Sequence, residues 1–254
     1  MTEDLAEDAH RRIDALLAAL LAEEPPDVAE ALGPAIAGGK RLRPTVLLLV
    51  HDALGGGAPG RAEHWAAGIE LLHAATLVHD DLVDGDDRRR GAPALHAQVG
   101  ARLAVLAGDA AVAWGLSLLD PPAHDLAARA LRDTWRAAWR EAQARGPYEA
   151  VAAGKTAPLF GLAGALGAIA AGADDPARDV ARAYGERLGL AYQLADDVAD
   201  QPPGGPPAAE LRRRALLAAD ETRALAAHLP AGPARAALEA LPARVVARAM
   251  EAAP

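Results

Sequence analysis

Apolar residues recur along most of this chain at intervals of three and four, the spacing of helices that bury one face. Proline and glycine interrupt the pattern and delimit ten predicted helices. They cover residues 5–24, 28–37, 44–54, 61–84, 103–119, 124–144, 148–172, 176–200, 208–228 and 233–252. No stretch of useful length alternates with the period of a strand, and no internal repeat of fixed period stands out. Residues 201–207, Gln-Pro-Pro-Gly-Gly-Pro-Pro, read as a loop too short to separate domains. The most apolar window, 157–173, is broken by Pro158 and several glycines. It predicts a buried helix lining a cavity rather than a membrane span.

Composition sharpens this picture. Hydrophobic residues make up 52% of the 254 positions but aromatics only 3%, so the core must be built from alanine, leucine and valine. Alanine and leucine are strong helix formers, and the expected fold is all-α, a single-domain helical bundle over 1–254. A formal charge of −9 argues against a nucleic-acid partner, which would call for a basic face. The chain has no cysteine, begins with acidic residues unlike a secretory signal, and offers no transmembrane segment; a cytoplasmic protein is expected.

Of the 26 basic residues only Lys40 and Lys155 are lysine, and each follows a glycine, in Gly38-Gly39-Lys40-Arg41-Leu42-Arg43-Pro44 and Gly154-Lys155-Thr156. So rare a lysine is a candidate for a task that suits a compact point charge, such as holding a phosphate. Two acidic clusters share one pattern, Asp80-Asp81-Leu82-Val83-Asp84 and Asp196-Asp197-Val198-Ala199-Asp200. On a helix the first and last aspartates of each stand on one face. Mg²⁺ favours carboxylate oxygens together with substrate phosphates, so two such clusters could hold a diphosphate between them. Arg89, five residues after Asp84, offers a guanidinium suited to diphosphate oxygens. His73 and His79 are spaced too awkwardly for a zinc site, and Glu149 stands where a nucleotide-binding loop before Lys155 would need glycine.

The string from His79 to Asp84 followed by Arg89-Arg90-Gly91 resembles the first aspartate-rich motif of the trans-isoprenyl diphosphate synthases. Gly38 to Pro44, Lys155-Thr156 and Gly189 to Asp200 resemble further motifs of that family, in family order. Gly108-Asp109 and His73 also have family equivalents. The resemblance implies a helical bundle of the isoprenoid synthase type around a central cavity, usually a homodimer, with a heteromer open. It implies head-to-tail condensation of isopentenyl diphosphate with an allylic diphosphate. By that resemblance Lys40, Arg43, His73 and Arg90 bind isopentenyl diphosphate. Asp80, Asp81, Asp84, Asp196, Asp197 and Asp200 bind Mg²⁺ and through it the allylic diphosphate. Arg89, Lys155 and Gln193 contact that same diphosphate, while Thr156 and Gln193 offer oxygen dipoles to a carbocation. Thr76 and Ala75 are small where the product tail should pass, and Leu72 and Ile69 lie deeper, which predicts geranylgeranyl length or longer.

The resemblance weakens after Asp200. The family continues with lysines on a loop and further helices, whereas this chain has no lysine there, so its C-terminal part reads as truncated after about residue 200. Arg212, Arg213 and Arg214 could replace a lysine or form an exposed helix face. The family's Gly-Gln-x-x-Asp-Leu stretch is unrecognisable; Trp139-Arg140-Glu141-Ala142-Gln143 stands in its region. Two alternatives to a chain-elongating enzyme therefore remain, a non-catalytic or regulatory subunit of a heteromeric synthase and a terpene synthase.

Overall fold

The computed structural model describes residues 2–57, 59–89, 91–143, 145–202 and 204–251. Among them the chain forms helices α1 (Thr2–Ala22), α2 (Pro26–Ile36), α3 (Leu42–Ala53) and α4 (Pro59–Asp84). A minimal hairpin, β1 (Arg88–Arg89) and β2 (Ala92–Pro93), precedes α5 (Leu95–Val99), α6 (Ala101–Ser117) and α7 (Ala123–Ala142). Then come α8 (Tyr148–Ala170), α9 (Asp175–Asp200), α10 (Ala208–Ala226) and α11 (Pro233–Glu251). The all-α expectation holds. The hairpin and α5 fall where no element was predicted, because two-residue strands are too short to show a period. The predicted helix ends at Ala144 and Ala252 lie outside the described residues.

The pairing of α8 with α9 is the centre of the bundle. A side-chain carbon added at Gly164 would lie 2.0 Å from the Ala181 carbonyl oxygen, and one at Gly185 would lie 2.0 Å from that of Phe160. Only glycine allows this approach, which brings two backbones into direct contact and fixes the register between the helices. Helix α9 starts on an Asp174 cap that accepts from the Ala177 amide at 3.0 Å and ends at Gln201, whose φ of 45° leaves the helical region. Pro158 does not break α8, which runs continuously across it. By length and composition α8 could cross a membrane, but 67% of its apolar window is buried in the bundle. Its apolarity is met by its neighbours, as a core-helix reading requires.

Trp65, Phe160 and Tyr184 are the largest side chains in a main core shared by most helices, and a smaller apolar cluster lies where α9 meets α10 and α11. One charged group is part of this interior. Arg41, in a left-handed backbone conformation with φ 46°, is only 4% exposed. It donates to Asp14 of α1, Glu70 of α4 and the Ile36 carbonyl, each at 2.8 Å. A buried guanidinium is tolerable only with such complete pairing. The clamp joins α1, α2 and α4 one residue after Lys40.

Candidate active site

The first acid cluster ends α4, and its three aspartates do different things. Asp81 is buried and is gripped by Arg89, whose Nε lies 2.6 Å and Nη2 2.5 Å from one carboxylate oxygen. The hairpin makes this possible: Arg89 pairs with Ala92 across it, and the turn carries the side chain back over the helix end. Asp80 and Asp84 have no such hydrogen bond among the described residues. Burial pushes both carboxyls above their usual range, with each other's or neighbouring negative charge adding to the effect and Lys155 opposing it.

The second cluster repeats the division on α9. Asp197 is buried, accepting from Gln193 Nε2 at 2.9 Å on one oxygen and from the Tyr148 hydroxyl on the other. Burial pushes the Tyr148 phenol far upward, and the Asp197 carboxylate pushes it further, so the proton stays on tyrosine. Gln193 also accepts from Thr156 Oγ1 at 2.5 Å. Thr156, Gln193, Asp197 and Tyr148 thus form one chain of hydrogen bonds joining α8 to α9. Asp196 is left out of it, and burial followed by repulsion from Asp200 raises its carboxyl, with Lys40 pulling the other way. Desolvation likewise raises Asp197, against the pull of its two donors.

The cations stand between the clusters. Lys155 Nζ is 2.5 Å from Glu141 of α7, and it stays protonated because Glu141, Asp80 and Asp84 outweigh the effect of burial. The charge of Arg89 acts on Asp80 and Asp196, and that of Lys155 on Asp80 and Asp197, so the two clusters lie within electrostatic reach of the same cations. Lys40, raised on Gly38 and Gly39, places Nζ 3.5 Å from the Tyr192 hydroxyl and 5.0 Å from its ring centre. Arg43, 8% exposed, lays its guanidinium 4.5 Å from the centre of the Phe160 ring. His73 is half-buried on α4, seven residues before Asp80 and hence on the same helix face. Arg90 lies outside the described residues.

A cavity of about 440 Å³ opens among Glu141, Tyr148, Lys155, Gln193 and Asp197. Glu141 and Tyr148 were not among the residues singled out from sequence. The Tyr148–Asp197 contact spans 49 positions, and the Glu141 contact reaches Lys155 from another helix, so neither leaves a local motif to read. His79 packs against α6 close enough that a side-chain carbon at Gly108 would lie 2.1 Å from its Nε2, which makes it a structural histidine. Arg213 and Arg214 bond Glu210, and Arg214 also bonds Glu149, on the surface of α10.

Among the described residues no three acidic or histidine side chains converge into a ready-made metal site. The oxygen-only donor set still suits Mg²⁺, which binds through one or two carboxylates plus substrate phosphates rather than in an all-protein cage.

The comparisons agree with this geometry. The sequence model for polyprenyl synthetases matches residues 26–202, which takes in both acid clusters and both lysines. The chain belongs to the polyprenyl synthetase family. It is 37% identical over 212 residues to a geranylgeranyl diphosphate synthase of Cereibacter sphaeroides, covering 75% of this chain and 72% of that enzyme. It is also 37% identical over 179 residues to the geranylgeranyl diphosphate synthase of Sulfolobus acidocaldarius, but there the match spans only 54% of the relative's length. Among solved structures, a polyprenyl synthase of Caulobacter crescentus, crystallised with calcium and isoprenyl diphosphate, superposes with a TM-score of 0.85. It is 27% identical, and 98% of each chain is covered. A decaprenyl diphosphate synthase of Rhodobacter capsulatus gives 0.86 at 26% identity, covering 98% of this chain and 99% of that one. This polyprenyl synthetase therefore has the all-α fold expected from its helical periodicity.

Proposed function

We propose that this chain is a prenyltransferase condensing isopentenyl diphosphate head to tail with an allylic diphosphate, dependent on Mg²⁺. Its product is a linear trans-polyprenyl diphosphate of geranylgeranyl length or longer. The observation that carries the reading is the pair of acid clusters that share the charges of Arg89 and Lys155, beside a separate cationic position at Lys40 and Arg43.

Asp80 and Asp84 on one wall and Asp196 and Asp200 on the other are the carboxylates available for metal. Asp81 and Asp197 hold those walls in place through Arg89 and through Tyr148 and Gln193. Magnesium, when bound, supplies Lewis acidity to the allylic diphosphate and neutralises charge that grows as its carbon–oxygen bond breaks. Lys155 and Arg89 are fixed cations for the same developing charge, already positioned before substrate arrives. The hydroxyl oxygen of Thr156 and the amide oxygen of Gln193, joined by a hydrogen bond, offer dipoles to the allylic cation. Lys40, Arg43, His73 and Arg90 take the second diphosphate, that of isopentenyl diphosphate. Retention of Lys40 and Arg43 separates this reading from a terpene synthase, which needs no second diphosphate site.

We further propose one domain over 1–254, acting in the cytoplasm as a homodimer. Support for self-association comes from large apolar side chains left exposed: Leu103 and Leu106 on α6, Trp135 and Trp139 on α7. The test is to incubate the purified protein with Mg²⁺, isopentenyl diphosphate and each allylic diphosphate in turn and identify the products. Elongated linear diphosphates are expected. A cyclic hydrocarbon formed without isopentenyl diphosphate would point to a terpene synthase, and no product without a second protein to a regulatory subunit.

A further inference from the structure

Two of the cations around the acid clusters already have carboxylate partners. Arg89 grips Asp81, and Lys155 is held by Glu141 at 2.5 Å. A third cation, Arg145, lines the cavity of about 440 Å³ together with Lys155, Gln193 and Asp197, and makes no ion pair among the described residues. It stands four residues after Glu141, the spacing of a helical ion pair, but α7 has ended at Ala142 and Glu141 bonds Lys155 instead.

The backbone of Arg145 is fixed. Its amide donates to the Arg140 carbonyl at 2.8 Å, the closure that finishes many helices. Gly146, at φ 101°, then turns the chain into Pro147, the cap of α8. A short connection between two packed helices thus brings an exposed arginine to the cavity. The other loop at this cavity has no charge to offer. Pro202 and Gly204 line it too, and residues 201–207 are only glutamine, proline and glycine. Beyond that loop, Arg213 and Arg214 are bonded to Glu210, and Arg214 also to Glu149.

We infer that Arg145 is a ligand of the allylic diphosphate, supplied by the connection between α7 and α8 where residues 201–207 supply no charge. Arginine suits the task, because its planar fork donates two parallel hydrogen bonds to phosphate oxygens and stays charged at any working pH. Lys40 and Arg43, assigned to isopentenyl diphosphate, are not on this cavity, so the loss of Arg145 should be felt by one substrate only. The identity of the ligand rests on the prenyltransferase reading; the place of Arg145 on the cavity does not.

The test uses the full chain with Mg²⁺ and reads both rate and binding. Arg145→Ala should raise KM for the allylic diphosphate about tenfold, while KM for isopentenyl diphosphate stays within about twofold of wild type. Arg145→Lys should recover part of the loss, since the charge returns without the fork. Arg129→Ala, on α7 and off the cavity, should match wild type, and thermal melting of each variant checks the fold. Binding is read by calorimetry with an allylic thiodiphosphate, whose bridging sulfur slows ionisation, so no turnover is needed. Arg145→Ala should bind it about tenfold more weakly. Affinity and allylic KM both within about twofold of wild type overturn the inference and leave the prenyltransferase reading intact. Equal rises in both KM values overturn it as well, because a ligand of one diphosphate spares the other. Weakened binding in a protein that forms no prenyl product would leave Arg145 as a diphosphate ligand and sink the prenyltransferase reading.

Discussion

Asp80 carries a cost that its neighbours do not offset. Burial and the negative charges around it raise its carboxyl despite Lys155 and Arg89, so the ionised form is held in the metal-free protein at the expense of stability. Asp80→Asn removes that charge without changing its shape. Turnover with Mg²⁺ should fall by about 10²–10³-fold, while the metal-free Tm rises by about 2–4 °C for each kcal/mol relieved. A melting curve and an initial-rate assay on the same preparation check both halves. Tyr148→Phe addresses the other cluster. It removes one of the two donors to Asp197, and the loss of such a supporting contact should raise the Mg²⁺ needed for half-maximal rate by about tenfold. Titrating the metal at saturating substrate measures it, and an unchanged midpoint would mean that Gln193 holds Asp197 alone. At this scale the sequence disclosed which residues carry charge but not how the labour is divided. The spacing of four put Asp80 and Asp84 on one face, yet nothing local told that Asp81 would be taken by an arginine brought back through a hairpin.

Helix α8 meets α9 through glycine, and the contact is one that a single methyl group should upset. Gly164→Ala places a carbon on the Ala181 carbonyl, and forcing the helices apart should cost about 1–3 kcal/mol in urea unfolding. Because Lys155 and the second acid cluster ride on these two helices, the rate should fall with it. On α4 the question is the path of the product. Ala75 is buried, five residues before Asp80, and Leu72 further back packs where Gly115 of α6 leaves room. Ala75→Phe puts a ring in that path and should shorten the principal product by at least one isoprene unit, read by chromatography of the dephosphorylated alcohols. An unchanged distribution would show that the tail runs elsewhere. The long helices were legible because their apolar positions repeat over many turns. The elements between Asp84 and Ala101 were not, since a hairpin held by two residue pairs has no period to detect.

Across the whole molecule, two exposed tryptophans are the clearest sign of a surface made to be covered. Trp135 and Trp139 lie with ring centres 5.4 Å apart and more than half exposed. Light scattering should return a mass near twice 26.1 kDa, and Trp139→Arg should shift it towards one. A monomer in both cases would remove the homodimer from the reading. The sequence leaves open whether these tryptophans belong to the core or to an interface, because the faces of α7 are told apart only once the bundle decides which one turns inward.

The Arg41 clamp gives the molecule a mechanical property as well as stability. Lys40 sits between a pair of glycines at positive φ and an arginine bonded to α1, α2 and α4. Its backbone is therefore anchored on one side and held by two residues without side chains on the other. Asp14 and Arg41 tie α1 to the residue beside Lys40, the ammonium group proposed to address the second diphosphate. Under the proposed function, the first helix and the capture of the second diphosphate thus share one anchor.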